Sequence, residues 1–186
     1  MRWAFEYMQQ PSGSSVYLRL STRSITQFDR SGNGWEEGAI KGGYWLKQPA
    51  PGAEAAIIAT GAILPEAIAA WEALQDDIPG IGLMVVTSPD LLHRGWSDAR
   101  ASRWRGGDKG SAHIAQLLAA LSPTAGLVTV IDGSPGALSW IGGVRGNRVS
   151  PLGVDRFGQT GDLPDLYREY RLDIQGILDA AAELFL

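Results

Sequence analysis

The sequence predicts an α/β fold: a three-layer domain with a mainly parallel sheet of about five strands. Three observations carry this expectation. Short apolar runs alternate along the chain with stretches whose apolar residues recur at helical spacing. The connections between them are short and rich in glycine and proline. The runs Ala55-Ala56-Ile57-Ile58-Ala59, Leu83-Met84-Val85-Val86 and Leu127-Val128-Thr129-Val130-Ile131 are apolar almost throughout, as strands covered on both faces are.

Each element has a local reason. Residues 1–27 pair a helical stretch, with Trp3, Tyr7 and Met8 on one face, with a strand at 16–20, Val16-Tyr17-Leu18-Arg19-Leu20. A lone helix and strand cannot bury both of their faces, so this piece must pack on the rest or on another chain. Residues 28–41, with Gly32, Gly34, Gly38 and several acids, read as a linker. Residues 43–47 form a short strand, and 48–52, with two prolines, a turn. Residues 54–60 are a buried strand that Gly61 ends. Residues 65–74 are a helix with Ile68, Trp71 and Leu74 at helical spacing. A second buried strand spans 82–87. Ser88-Pro89-Asp90 then starts a helix with a serine cap, and a further helix spans 112–121. Residues 126–131 are the third buried strand, 137–141 a short helix, and 147–154 a strand interrupted by Pro151. Helices at 163–170 and 173–184 close the chain, the first capped by Thr160 or Asp162 with Pro164 in its first turn.

Composition narrows the function. The 186 residues carry a formal net charge of -4 and are 45% hydrophobic, enough for a sizeable core and the wrong sign for a nucleic-acid binder. There are no cysteines, which excludes disulfides and thiolate chemistry and fits a reducing compartment. No run reaches the roughly 20 apolar residues of a membrane helix. A soluble, cytoplasmic protein is expected. His93 and His113 have no ligand spacing, so no metal site is expected.

In a parallel sheet the loops at the carboxyl ends of the strands gather in one crevice. The candidates here are Thr60-Gly61-Ala62, Thr87-Ser88-Pro89, Asp132-Gly133-Ser134 and the long loop 153–162. Gly133 and Ser134 can present amides to an anion, or simply make a tight turn. Their surroundings match neither a Walker loop nor a dinucleotide fingerprint. Ser88, His93 and Asp90 or Asp98 lack the elbow motif of a hydrolase triad, and Ser88 is better explained as a helix cap. Arg94, Arg100, Arg103 and Arg105, interleaved with Trp96 and Trp104, suit either an interface or a solvated helix face. In 153–162, Asp155 is expected to satisfy loop amides and Phe157 to plug the loop into the core.

Together these residues resemble a family. Gly153-Val154-Asp155-Arg156-Phe157-Gly158-Gln159-Thr160-Gly161 looks like the "G-x-D-x-F-G-x-S/T" segment of the C-terminal domain of transketolase-like thiamin diphosphate enzymes. Leu166-Tyr167-Arg168-Glu169-Tyr170 resembles the "L-Y-x-x-Y/F" helix behind it, and Ala56-Ile57-Ile58-Ala59-Thr60-Gly61 its strand and turn. Val85-Val86-Thr87-Ser88 through Trp96, then Arg103-Trp104, looks closest to the homodimeric decarboxylating component of pyruvate dehydrogenase. Residues 42–186 would be that C-terminal domain, and 1–27 the end of the neighbouring pyrimidine-binding domain.

The resemblance implies a fragment of a 2-oxo acid dehydrogenase component, with pyruvate as the expected substrate. It would serve in domain packing and dimer assembly rather than cofactor binding. The full enzyme would use thiamin diphosphate and Mg²⁺; the Gly-Asp-Gly…Asn motif that holds them has no counterpart here. Implied partners are the remaining domains of the enzyme, a second copy in a homodimer, and a lipoyl domain; neither nucleic acid nor membrane is implied. Asp155, Arg156, Phe157, Gly158 and Gln159 would lie near the active-site entrance or an interface. Gln159 stands where pyruvate-type relatives carry an arginine. The alternatives are a fragment of a transketolase, which moves two-carbon units between sugar phosphates, and a self-standing anion-binding α/β module.

Overall fold

A computed structural model describes residues 1–28, 34–107 and 110–186. Its strands are β1 (Gly43–Lys47), β2 (Ala53–Thr60), β3 (Gly82–Val86), β4 (Leu121–Ile131) and β5 (Val149–Leu152). Its helices are α1 (Arg2–Met8), α2 (Trp35–Ile40), α3 (Leu64–Ala73), α4 (Pro89–Trp104), α5 (His113–Leu118), α6 (Gly136–Ser139), α7 (Leu163–Glu169) and α8 (Ile174–Glu183). The strands make one five-stranded sheet in the order β1-β3-β2-β4-β5. β2 runs parallel to β3 and β4, and β5 parallel to β4. β1 is antiparallel to β3. The three-layer, mainly parallel α/β architecture expected from the sequence is the one observed.

β2 shows why the sequence folds this way. Its side chains alternate between the two faces, as the period of a strand requires. Ala55, Ile57 and Ala59 join one core with Ala67 and Ala70 of α3 and Ile177, Ala180 and Ala181 of α8. Ala56 and Ile58 join the other with Leu92 of α4, Ile114 and Leu118 of α5, and Leu138 of α6. An unbroken apolar run is thus what a central strand needs. The helices start where their caps place them: Ser88, Asp162 and Asp173 each accept a backbone N–H from three residues on. Close approach fixes α8 on the sheet, since a side chain at Gly126 would come within 2.8 Å of Leu184.

Several expectations need correction. Residues 16–20 form no strand; Tyr17 and Leu20 are 88% and 74% exposed, and no described strand pairs with them. A strand without a partner ladder leaves its backbone to water. The expected linker 28–41 contains α2, whose Trp35 and Ala39 pack against the core beside Tyr44; residues 29–33 lie outside the described residues. The helix expected at 112–121 stops at Leu118, because Leu121 already belongs to β4 and pairs with Ala53 of β2. On α3 the fully buried face is Ala67 and Ala70, with Ile68 and Trp71 on its flanks. Small residues let that helix sit close to the sheet.

Pro151 occurs within β5, opposite Thr129 of β4. The Arg148 carbonyl accepts from the Leu127 N–H and so faces β4. The two-residue alternation then turns the Pro151 nitrogen toward the open edge, where a missing N–H breaks no bond. No helix among the described residues is long and apolar enough to cross a membrane.

Ile58 is fully buried between the sheet and the α4–α6 layer. Ile58→Ala should cost about 2–5 kcal/mol of unfolding free energy, read as a lowered urea midpoint with an unchanged slope.

Candidate functional site

Crossovers from β2 and β4 diverge. The chain leaves β2 into α3 on one face, and leaves β4 into α6 on the other. Between their carboxyl ends lies the crevice that open α/β sheets use for ligands. Gly61 ends β2 with φ +85°, and a side chain there would meet Asp132 Oδ1 at 2.9 Å. Glu66, in the first turn of α3, and the buried Tyr167 of α7 line the same end. Arg23, from the N-terminal segment, enters from outside. Its guanidinium makes paired bonds to Glu66 at 2.8 and 3.1 Å, and donates to the Ala62 carbonyl at 3.0 Å and the Tyr167 hydroxyl at 3.4 Å. The Glu66 bond holds Arg23 above its ordinary pKa. Burial raises the Tyr167 phenol, against the opposing pull of Arg23. A cavity of about 450 Å³ opens beside this group, between Glu66, Pro164, Tyr167, Asp173 and Ile174.

The loop 153–162 continues from β5 along the same end of the sheet. Its root is fixed by backbone. The Val154 N–H donates to the Gly133 carbonyl at 2.7 Å, and a side chain on Gly153 would meet that oxygen at 2.6 Å. Beyond the root the loop is exposed, including Asp155, Arg156, Phe157, Gly158 and Gln159. Arg156 pairs with Glu169 at 2.6 Å, which raises its pKa, and the Tyr170 hydroxyl donates to the Arg156 carbonyl. Two expectations fail here. Phe157 is not a plug; it is fully exposed and anchors nothing. Asp155 lies 3.5 Å from Arg156, its neighbour, and is itself well exposed. The anchoring expected of them comes from the close-packed Gly153 and from α7. Gly158, at φ +105°, supplies the turn that only glycine makes easily.

Gly133 and Ser134 sit at the exit of β4. The Gly133 carbonyl accepts from Val154 and the Ser134 carbonyl from Ala137, so this loop holds the β5 exit and starts α6. Ser88 caps α4. His93 instead packs edge-on against Trp96 and Trp140. Arg100 lies over Trp96 and the exposed Trp104, so this face of α4 carries one cation seated on two indoles at the surface. No three His, Asp or Glu side chains among the described residues gather as a metal site.

A family model described as the transketolase-like TK C-terminal domain matches residues 42–173. The chain belongs to that family. Chloroplastic transketolase of Craterostigma plantagineum is 27% identical over 183 residues, covering 97% of this chain and 30% of that protein. The chain thus spans under a third of the length of this curated relative. Among solved structures, a Pichia stipitis transketolase in complex with sedoheptulose-7-phosphate aligns with TM-score 0.57 and 22% identity, over 80% of this chain and 18% of that one. Transketolase from Leishmania mexicana aligns with TM-score 0.54 and 18% identity, over 80% and 18%. A split-gene transketolase, described as an inactive β4 tetramer, aligns with TM-score 0.53 and 17% identity, over 77% and 42%. These structures share the fold of the transketolase C-terminal domain.

Arg23 and Glu66 were not singled out from the sequence, and Tyr167 only as part of a family segment. Glu66 had a signal: an acid in the first turn after a buried strand stands at the crevice. Arg23 had none, because only the fold brings it there. Gly153→Ala should destabilise the domain by about 1–3 kcal/mol, since the new methyl group meets backbone that cannot move aside; thermal melting reads it. Tyr167 keeps its proton more tightly folded than unfolded. Its contribution is therefore full below the ordinary phenol range and lost as pH rises through the raised pKa. Denaturation midpoints should fall on the alkaline side, and Tyr167→Phe should flatten that fall.

Proposed function

We propose that this chain is the C-terminal part of a thiamin diphosphate enzyme of the transketolase class, working on sugar phosphates. The observation that carries the reading is the alignment of 97% of the chain with 30% of the length of a transketolase. It favours transketolase over the decarboxylating component of pyruvate dehydrogenase, which rested on short segments around Val85 and Trp104.

Residues 1–27 are then the end of the preceding pyrimidine-binding domain. The exposure of Phe5, Tyr17 and Leu20 supports this, since such side chains seek cover. Phe157 and Trp104, also exposed, suit contacts with the remaining domains or a second copy.

Thiamin diphosphate, where bound, supplies carbanion stabilisation. In this reading the cofactor is held by the remaining domains, since the Gly-Asp-Gly…Asn motif has no counterpart in this sequence. What the chain supplies is position. Displacing catalytic groups by an ångström costs a rate factor on the order of a hundred, and a rigid domain packed behind them prevents that.

Titrating thiamin diphosphate and Mg²⁺ into the 186-residue protein should give no saturable heat. Supplying a chain with the rest of a transketolase should then restore ketol transfer that neither chain shows alone. Tight cofactor binding by this chain would overturn the reading.

A further inference from the structure

The contact of Arg23 with the crevice has the geometry of a ligand in a site. The receptor side is built from three elements: the Glu66 carboxylate on α3, the Ala62 carbonyl in the turn after β2, and the Tyr167 hydroxyl on α7. Both oxygens of Glu66 are engaged by both terminal nitrogens of Arg23, the fork-to-fork pairing that a planar guanidinium makes and an ammonium cannot. The cation also lies 5.6 Å from the centre of the Tyr167 ring. With Arg23 seated, Glu66 is only 17% exposed, so the pair is partly shielded from water. Asp132 adds a second negative group at the crevice mouth and works with Glu66 to raise the Tyr167 pKa. The occupant comes from beyond the family match, which begins at residue 42. Its backbone is bent into place by the Ser21 hydroxyl, which accepts the Arg23 N–H. The segment before it carries exposed apolar side chains such as Phe5 and Tyr17.

We propose that the β2–β4 crevice is a recognition site for an arginine guanidinium, that Arg23 is its tethered occupant, and that this contact latches the arm of residues 1–28 to the domain. The inference stands on the geometry of this chain and not on the transketolase reading. Releasing the latch frees the arm and exposes a site for another guanidinium.

Limited chymotrypsin cleavage and N-methylguanidinium titration on the full chain test it. In Arg23→Ala, cleavage after Tyr17 and Leu20 should be about tenfold faster, the loss expected for charge-assisted hydrogen bonds, while the sheet stays uncut. Arg23→Lys should fall between this variant and the unchanged chain. N-methylguanidinium should bind Arg23→Ala saturably, shifting the Tyr167 resonances, and about tenfold more weakly once Glu66→Gln is added. Unchanged arm cleavage in Arg23→Ala, no saturable binding, or equal binding with and without Glu66→Gln would each overturn the proposal. If Arg23→Ala does not fold, the unchanged chain decides. N-methylguanidinium should then speed arm cleavage beyond tetramethylammonium at equal ionic strength, and equal rates would overturn the latch.

Discussion

The structure depends on covering β2 from both sides. Ala56, Ile57, Ile58 and Ala59 are fully buried, and no single layer can bury a strand whose successive side chains point in opposite directions. Helices must therefore lie on both faces, and the chain must cross over β2 to place them. The reversal from α3 to the α4–α6 layer follows, and it opens the crevice between β2 and β4. The site is thus a by-product of satisfying one strand. Its contents are set by whichever residues end β2 and β4 and begin the helices after them.

Much of this was legible in the sequence because the signals were local and repeated. Unbroken apolar runs marked the central strands, and Ser88 and Asp162 marked helix starts through the bonds their side chains make. The failures share a cause. Residues 16–20 have strand composition, yet a strand exists only through its neighbour, and composition does not reveal a neighbour. Phe157 has the chemistry of a core residue, yet its loop is held by Gly153 and Arg156 instead. Trp35 and Ala39 lie in a glycine-rich stretch that hides a six-residue helix, formed because the core beside Tyr44 needs cover. The crevice itself was foreseen as a gathering of loops. Its polar contents were not, because Arg23 and Glu66 meet across 43 residues.

Two kinds of surface result. At the strand ends, a carboxylate, a phenol and a guanidinium satisfy one another in a partly buried group. On the opposite layer, Trp96 and Trp140 stack, His93 meets them edge-on, and Arg100 lies over Trp96 and Trp104. The first is directional and chemically selective. The second offers broad contact area with little directional demand. In any contact, the first kind of surface fixes orientation and the second adds area.

Pro151 bears on how this domain meets its surroundings. It removes a donor from the middle of the outer margin of β5, while β1 closes the other margin with a register shift between Trp45 and Lys47. A sheet so finished offers poor templates for strand addition at either end. The domain therefore resists edge-to-edge growth into fibres, and any larger assembly it joins must be built from side chains and loops, with the size of that assembly set by surface fit rather than by a continuing ladder.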